Sequence, residues 1–532
     1  VRRKTMERKY CSIFNDALGP VMTGPSSSHS AGCGRIGKTA SGLWGKDILR
    51  ADVFFEEKGS YPSTYIGQGS NFGFTGGLLG WDTDDPRLKD SVELAREMGR
   101  TIRFRKKDLG FHHPNEAEIC VYNEDGSVGM SLLTYSIGGG MFEITRMDGF
   151  RVMIDGGSTQ AFVRCVSEDA ARETEKLLAA HQAEYTHEDW EGNGRLYTVR
   201  FAPGQETEWL EALRTESGVE YLRYARPVMP VVRRVGSSMP FFNAAEALEY
   251  AEKHDLAIAD LAAAYESALG VVDKEEIRRL TDKVISAMRR STEAPDPDTA
   301  KMYGFLPYSA RKMQKKLGKA KTFDTGLLGK AMMAAVAVME NSCAHNIIVA
   351  SPTAGSSGVV PAGVVTLADA TGASEEELRS ALLAAGLVGV FIANQATFGG
   401  EVGACQAENG SASAMAAAGA AALLGGTVAE CFASASLALQ NMLGLICDPV
   451  AGLTEIPCIS RNVSAVSNAV MSANMVLLGF DPVIPLDETI ITMGKVGEML
   501  PGELRCTCGG GLCTSPTGSC IQKRIDAERP VL

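Results

Sequence analysis

Aromatic side chains are scarce in this sequence, at 7% of 532 residues, and basic charge is outnumbered. The first scarcity, beside 57 glycines, points away from bulky aromatic cores and toward close helix packing with backbone-lined pockets. The second sets 52 Lys and Arg against 64 Asp and Glu, a formal net charge of -12. That balance disfavours nucleic acid or an anionic membrane as a partner, since either needs a basic face. No apolar run follows the basic opening VRRKTMERKY, so the expectation is a cytoplasmic protein without a secretory leader. Long apolar runs are also rare. The charge-free stretch 380–400, SALLAAGLVGVFIANQATFGG, has the length of a membrane span, but Asn394, Gln395 and its closing glycines favour a buried central helix.

Thirteen cysteines stand against these absences. In a reducing compartment they are buried small hydrophobes, metal ligands or reactive thiols rather than disulfides. Cys506, Cys508, Cys513 and Cys520 crowd into CTCGGGLCTSPTGSC. Their spacing matches no common zinc motif, although four thiols could surround a zinc or an iron–sulfur cluster.

The length fits two to four domains, and 45% hydrophobic with 22% charged residues supports both a core and a polar surface. Residues 1–165 read as a small mixed α/β domain. ADVFFEEKG (51–59), EAEICVYNE (116–124) and GMSLLTYSIGGGMFEI (129–144) are strand-like, with SVELAREMG a helix between them. Residues 166–235 read as a connector of helical and extended pieces, ending in the Pro- and Val-rich RPVMPVVRRVGSSMPFF. From 236 to 532 the pattern is all-helical around a buried central helix. Asp273 with Glu276 and Ser374 with Glu377 form helix-capping pairs, and a break falls near His254 and Asp255. The basic run RKMQKKLGKAK (311–321) reads as a solvated helix face.

Five stretches carry chemistry-bearing residues. GPSSSHSAG puts the hydroxyls of Ser26, Ser27 and Ser28 at a turn before a helix, a carboxylate or phosphate site by composition. His29 follows them, a side chain suited to proton transfer near neutral pH; an elaborate cap with a structural histidine is the alternative. TYSIGGGM places Gly138, Gly139 and Gly140 in a sharp turn or anion nest, without the GxGxxG spacing of a dinucleotide site. SPTAGSSGVVPAG (351–363) has the small-residue composition of a ligand loop and offers adjacent hydroxyls at Ser356 and Ser357. In GGEVGACQAENGSASAMAAAG, Cys405 and Glu408 lie three apart, on one face of a helix. GLICDPVAGLTEIPCISRN brings Asp448, Arg461 and Asn462 to Pro-bounded turns resembling a pocket rim.

Taken in order, GPSSSHSAG, YSIGGG, PFFNAAEALEYAEKHDLAIADL, SPTAGSSGVVP, EVGACQAENGSASAMAAAG, CDPVAGLTEIPCISRN and the closing CGGGL resemble the iron–sulfur-dependent L-serine dehydratases. The resemblance implies a small α/β domain before an all-helical catalytic domain, and a homodimer. It implies a lyase of amino-acid metabolism that converts a small hydroxy-amino acid such as L-serine to a 2-oxoacid and ammonia. It also implies a [4Fe-4S] cluster held by three cysteines, with a C-terminal thiol as cover. Carried over position by position, the ligand sites fall on Ser357, Cys405 and Ser413, with Cys520 as the tail ligand. Serine hydroxyls are hard and costly to deprotonate, so this set would hold a cluster weakly. The family's other polar positions fall on Gln68, Asn71 and Asn441, with Thr353 in the 351–357 loop. The resemblance therefore implies His29 and Cys405 as catalytic residues. It implies Ser26, Ser27, Ser28, Gly138, Gly139, Gly140, Thr353, Gln68, Asn71 and Asn441 around a small carboxylate or amino-acid substrate.

Three alternatives stay open. One is a lyase whose cluster recruits other thiols among Cys343, Cys447, Cys506, Cys508, Cys513 and Cys520. The second is a cluster-free enzyme with isomerase or hydrolase chemistry at His29 and Cys405. The third is a non-catalytic carboxylate-binding protein.

Overall fold

The computed structural model describes residues 10–528 apart from 191, 193, 203, 206, 235–237 and 299–303. The opening nine residues, read above for a leader, lie outside the described residues. The chain divides into two compact units, one built from residues 1–27 with 237–530 and the other from 28–236. Mixed sheets occupy the second and helices dominate the first, as the sequence pattern predicts.

In the α/β unit a six-stranded sheet runs in the order Thr101–Lys107, Arg50–Glu56, Glu116–Tyr122, Val128–Gly138, Met141–Met147, Phe150–Ile154. Only the first pair is parallel. Strand Val128–Gly138 shows the period of two: Met130, Leu132, Thr134 and Ser136 are buried while the residues between them are not. Helix Gly32–Trp44 lays Cys33, Ile36, Ala40 and Leu43 into the core of this sheet. It packs on helix Ser70–Leu78 so closely that a Cβ on Gly77 would stand 2.1 Å from the Gly34 carbonyl oxygen. Here the glycine-rich composition has a packing cause: only hydrogen fits between the two backbones.

Residues 166–235, expected as a connector, carry most of a second sheet. It is antiparallel and ordered Val219–Ala225, Thr159–Cys165, Gly194–Phe201, Glu184–Trp190. Helix Glu168–Ala180 buries Ala170, Ala171, Thr174 and Leu178. The edge strand Glu184–Trp190 is exposed along nearly its whole length. Such a strand has no apolar face for a sequence pattern to reveal.

In the helical unit, helix Glu375–Gln395 begins at the Ser374–Glu377 capping box read from the sequence. Residues 381–392 of this helix are buried, and helix Ser411–Leu423 is buried from Ser411 to Ala421. The centre is thus a pair of small-residue helices rather than one. No single helix among the described residues is long and apolar enough to cross a membrane. Asp255 takes a left-handed φ of 53° between helices Ala244–His254 and Ile258–Leu269, which is the break the sequence placed there. The N-terminal residues belong to this unit. Val21–Thr23 pairs antiparallel with Ile347–Val349, and Ile13 and Ala17 lie against Gly386 and Gly389 of the central helix.

Candidate active site

In the α/β unit His29 lies in the π-turn Ser27–Ala31 that leads into helix Gly32–Trp44. It is buried, with the Ser28 hydroxyl 3.0 Å from Nδ1 and the Ser60 hydroxyl 3.3 Å from Nε2. Ser60 also donates to Asn115 Oδ1, an atom that can only accept. Its oxygen is then left to accept from Nε2–H, so Nδ1 carries the lone pair that faces Ser28. Asn115 Nδ2 donates to the Ser136 carbonyl at 3.3 Å, and the Ser136 hydroxyl to the Ser28 carbonyl at 2.7 Å. The Tyr61 ring stands edge-on to the imidazole at 5.2 Å. Burial pulls the His29 pKa from 6.5 down to about 3, so the ring is neutral at physiological pH.

Gly138, Gly139 and Gly140 all hold positive φ, turning strand Val128–Gly138 into Met141–Met147, and Arg35 donates to the Gly140 carbonyl at 2.8 Å. Gln68 sits on the turn before helix Ser70–Leu78, its N–H bonded to the Thr64 carbonyl. Asn71, in the first turn of that helix, buries an Oδ1 with no hydrogen-bond partner among the described residues. An orphaned acceptor of this kind suits a donor arriving with a ligand.

In the helical unit the 351–358 loop is held in two ways. Thr353 and Ser356 form a reciprocal cap, and Asn462 accepts from the Gly358 N–H at 2.9 Å while donating to the Gly355 carbonyl at 2.8 Å. Thr353 points its hydroxyl at Glu408 Oε1, 2.9 Å away. The carboxyl is fully enclosed, and burial raises its pKa to about 7. Gly355 and Gly400 make room for it: a Cβ there would come within 3.0 and 2.7 Å of its oxygens.

Around Glu408 the thiols gather. Cys405 follows Ala404, whose φ of 62° kinks the chain before the turn Gln406–Gly410, and Asn409 donates to its sulfur at 3.0 Å. Cys405, Cys447 and Cys506 pack in one buried cluster, and Cys447 Sγ lies 3.9 Å from Glu408 Oε2. Cys458, the first residue of helix Cys458–Leu477, has Cys405, Glu408, Cys506 and Cys343 as its charge neighbours. Burial pushes the Cys405 thiol up to about 12, opposed by the Arg461 guanidinium. A hydrogen bond with Cys506, and then burial, raises Cys447, while burial and neighbouring negative charge raise Cys458. Arg461 also pairs with buried Asp448 at 2.8 Å.

The two serines aligned with cluster ligands point elsewhere. Ser357 is buried with its hydroxyl on Met339 Sδ at 3.6 Å. Ser413 donates to the Ala465 carbonyl at 2.8 Å and accepts from Asn468 Nδ2 at 2.9 Å. Asn441 reaches Asn468 Oδ1 at 2.8 Å, on the same helix–helix seam. Cys520 stands exposed on the closing helix Pro516–Glu528, and the C-terminal thiol beside Cys447 is Cys506. Cys447 and Cys506 pack with Cys405, whereas Ser357 and Ser413 are engaged in hydrogen bonds elsewhere. The sequence reading noted the stretch that carries Cys447 and Cys458 but attended to Asp448, Arg461 and Asn462. The signal was two thiols bracketing one Pro-bounded turn.

Among the described residues no three His, Cys, Asp or Glu groups converge tightly enough to chelate a single metal ion. An iron–sulfur cluster spans more than one ion, and its requirement is soft thiolates around a shared, enclosed volume. Cys405, Cys447 and Cys458 meet that requirement in donor chemistry.

Residues 238–513 match the family model for the serine dehydratase alpha chain. The chain belongs to the serine dehydratase family. It is 38% identical over 285 residues to a probable L-serine dehydratase alpha chain of Bacillus subtilis, covering 54% of this chain and 95% of that one. It is equally 38% identical over 282 residues to the L-serine dehydratase alpha chain of Peptoniphilus asaccharolyticus, 53% of this chain and 97% of that one. A probable L-serine dehydratase beta chain of Bacillus subtilis is 45% identical over 148 residues, 28% of this chain and 65% of its own length. Some relatives are thus separate alpha and beta chains, and both kinds have their likeness in one polypeptide here.

Proposed function

We propose that this chain is an L-serine dehydratase, eliminating water from L-serine and releasing ammonia and a 2-oxoacid. What carries the reading is Cys405 and Cys447 packed beside one enclosed carboxyl, with Cys458 in electrostatic reach of both Cys405 and Glu408, in a chain whose relatives bear that name. These three thiols would hold a [4Fe-4S] cluster. When bound, the cluster supplies a Lewis acid for the leaving hydroxyl. The chain's own residues do the rest. Thr353 and Glu408 hold a proton and a hydroxyl donor beside the thiols. Arg461 offers the positive charge that eases thiol ionisation, steadied by Asp448.

The α/β unit supplies proton handling. His29 is neutral, and its Nδ1 lone pair meets the Ser28 hydroxyl, so Nδ1 can take up a proton directly or through Ser28. Ser26, Ser27 and Ser28, with the turn at Gly138–Gly140, are the carboxylate contacts in this reading, and Gln68 and Asn71 orient the amino acid. In this reading the helical unit is the catalytic domain and the α/β unit of residues 28–236 the small domain. The assembly is a homodimer and the compartment the cytoplasm.

The test is anaerobic purification with iron and sulfide quantification, followed by 2-oxoacid release from L-serine. About four irons per chain and turnover on L-serine are expected. Full iron loading without 2-oxoacid release from L-serine would overturn the substrate. Iron-free protein that still turns over L-serine would overturn the cluster.

A further inference from the structure

The cysteine-rich stretch CTCGGGLCTSPTGSC contributes Cys506 to the thiol cluster and leaves Cys508, Cys513 and Cys520 without a part in it. We propose that Cys508 and Cys513 form a reversible disulfide that locks the segment 504–513 onto Cys447. The segment is already zipped to its neighbour. Cys447 donates its N–H to the Leu504 carbonyl at 2.8 Å, and Cys506 donates to the Cys447 carbonyl at 2.9 Å. Further along, the Leu512 N–H donates to Asp448 Oδ2 at 2.8 Å. Between these anchors the chain must turn back within CGGGLC, and it does so with φ of 57° at Cys508 and 60° at Gly511. At Gly511 a side chain is excluded, since its Cβ would stand 2.4 Å from Asp448 Oδ2.

This turn brings two sulfurs to one atom. Cys508 Sγ and Cys513 Sγ both donate to the Pro449 carbonyl oxygen, at 3.4 and 3.0 Å. Sulfurs sharing one acceptor within a six-residue glycine loop need only small side-chain rotations to bond. Access is ordered too. Cys508 is partly exposed, with Thr507 and Gly509 exposed on either side, whereas Cys513 is buried. A small-molecule disulfide therefore meets Cys508 first. The Cys508 thiolate attacks one of its sulfurs and releases one small thiol. Cys513 then attacks the mixed disulfide at Cys508, releases the second small thiol and closes the ring. Two protein thiols are oxidised and one disulfide is reduced to two thiols, so atoms and electrons balance.

The full-length protein is incubated with oxidised glutathione at graded ratios, alkylated under denaturing conditions and digested with trypsin. Residues 506–523 emerge as one peptide carrying Cys506, Cys508, Cys513 and Cys520. The expected result is loss of two of the four alkylatable thiols, with fragmentation placing the link between 508 and 513. C508S and C513S should each abolish the loss, while C506S and C520S should retain it. In the folded protein, oxidation should slow tryptic cleavage after Arg505 in the wild type and leave C513S unchanged. The proposal is overturned by full alkylation at every ratio. A link to Cys447, Cys506 or Cys520, a loss that survives C508S, or cleavage after Arg505 indifferent to oxidation would each overturn it as well.

Discussion

Thr353 donates its hydroxyl to Glu408 across 2.9 Å, joining the 351–358 loop to the turn that follows Cys405. A hydrogen bond to an ionisable group in an enclosed site contributes about 1.5–3 kcal/mol. Thr353→Val should lower kcat/KM for 2-oxoacid release roughly 10- to 100-fold, and Thr353→Ser should restore most of it. The loss of the reciprocal cap with Ser356 costs about 1 kcal/mol of stability in Thr353→Val, visible as a modest drop in Tm. Wild-type kinetics in Thr353→Val would remove this contact from the working site.

Iron content separates the proposed thiol ligand set from the one aligned on the serines. Cys447→Ser and Cys458→Ser should each lose most cluster iron on anaerobic purification, because a hydroxyl replaces a soft thiolate. Ser357→Ala should keep it. Ser413→Ala should keep it too, at a cost of about 1 kcal/mol for the bonds to Ala465 and Asn468, read from a denaturant midpoint. If Ser413→Ala empties the protein of iron and Cys458→Ser does not, the proposed thiol set is wrong.

His29 gives the α/β unit an acid sensitivity with a definite sign. The folded imidazole titrates near 3 and the unfolded one near 6.5, so the unfolded chain binds the extra proton between those values. The contribution is fully present above pH 6.5 and declines by about 1.4 kcal/mol per pH unit as pH falls toward 3. Urea unfolding between pH 7 and 4.5 should show a shallower decline in His29→Gln than in the wild type. Parallel declines would mean the ring is protonated in the folded protein. Turnover in His29→Gln should fall at least roughly 100-fold with the substrate KM changed far less, as loss of a general base requires.

Glu266 acts in the opposite direction. Its carboxyl is sealed beneath residues 11–17, where the Ser12 hydroxyl and the Ile13 N–H bond to it, yet burial raises its pKa from 4.5 to about 7. The folded state therefore holds the proton longer than the unfolded one, and stability declines as pH rises from 4.5 through 7. Glu266→Gln keeps the shape without the charge. It should match the wild type near pH 4.5 and exceed it by a few kcal/mol near pH 8, by denaturant titration. Equal midpoints at both ends would show the carboxylate to be solvated.

The sequence showed most of the fold where one face of an element is apolar and its ends are capped. Ser374 with Glu377 and Asp273 with Glu276 mark helix starts that the structure keeps. Strand Val128–Gly138 shows its alternation and the glycines that turn it. The 184–190 strand escaped because an edge strand exposed along its length has no periodic signature. For the candidate site, alignment on motif position put weight on Ser357 and Ser413, whose hydroxyls bond to Met339 and to Ala465 and Asn468. Which thiols meet Cys405 depends on where helix Cys458–Leu477 begins and on the pairing of Cys447 with the 504–506 backbone. Neither is a local property of the sequence. Glu408 was noted for its spacing from Cys405, but its burial arises only from the closeness of Gly355 and Gly400.

The strand Val21–Thr23 is synthesised more than three hundred residues before its partner Ile347–Val349. At ribosomal speeds of about 5–20 residues per second, the first segment waits on the order of tens of seconds for its place. During that wait the α/β unit, complete by residue 236, can already be folded. Birth order and assembly order therefore run against each other at the N-terminus. The apolar residues Ile13, Phe14 and Ala17, buried in the finished fold, share that wait.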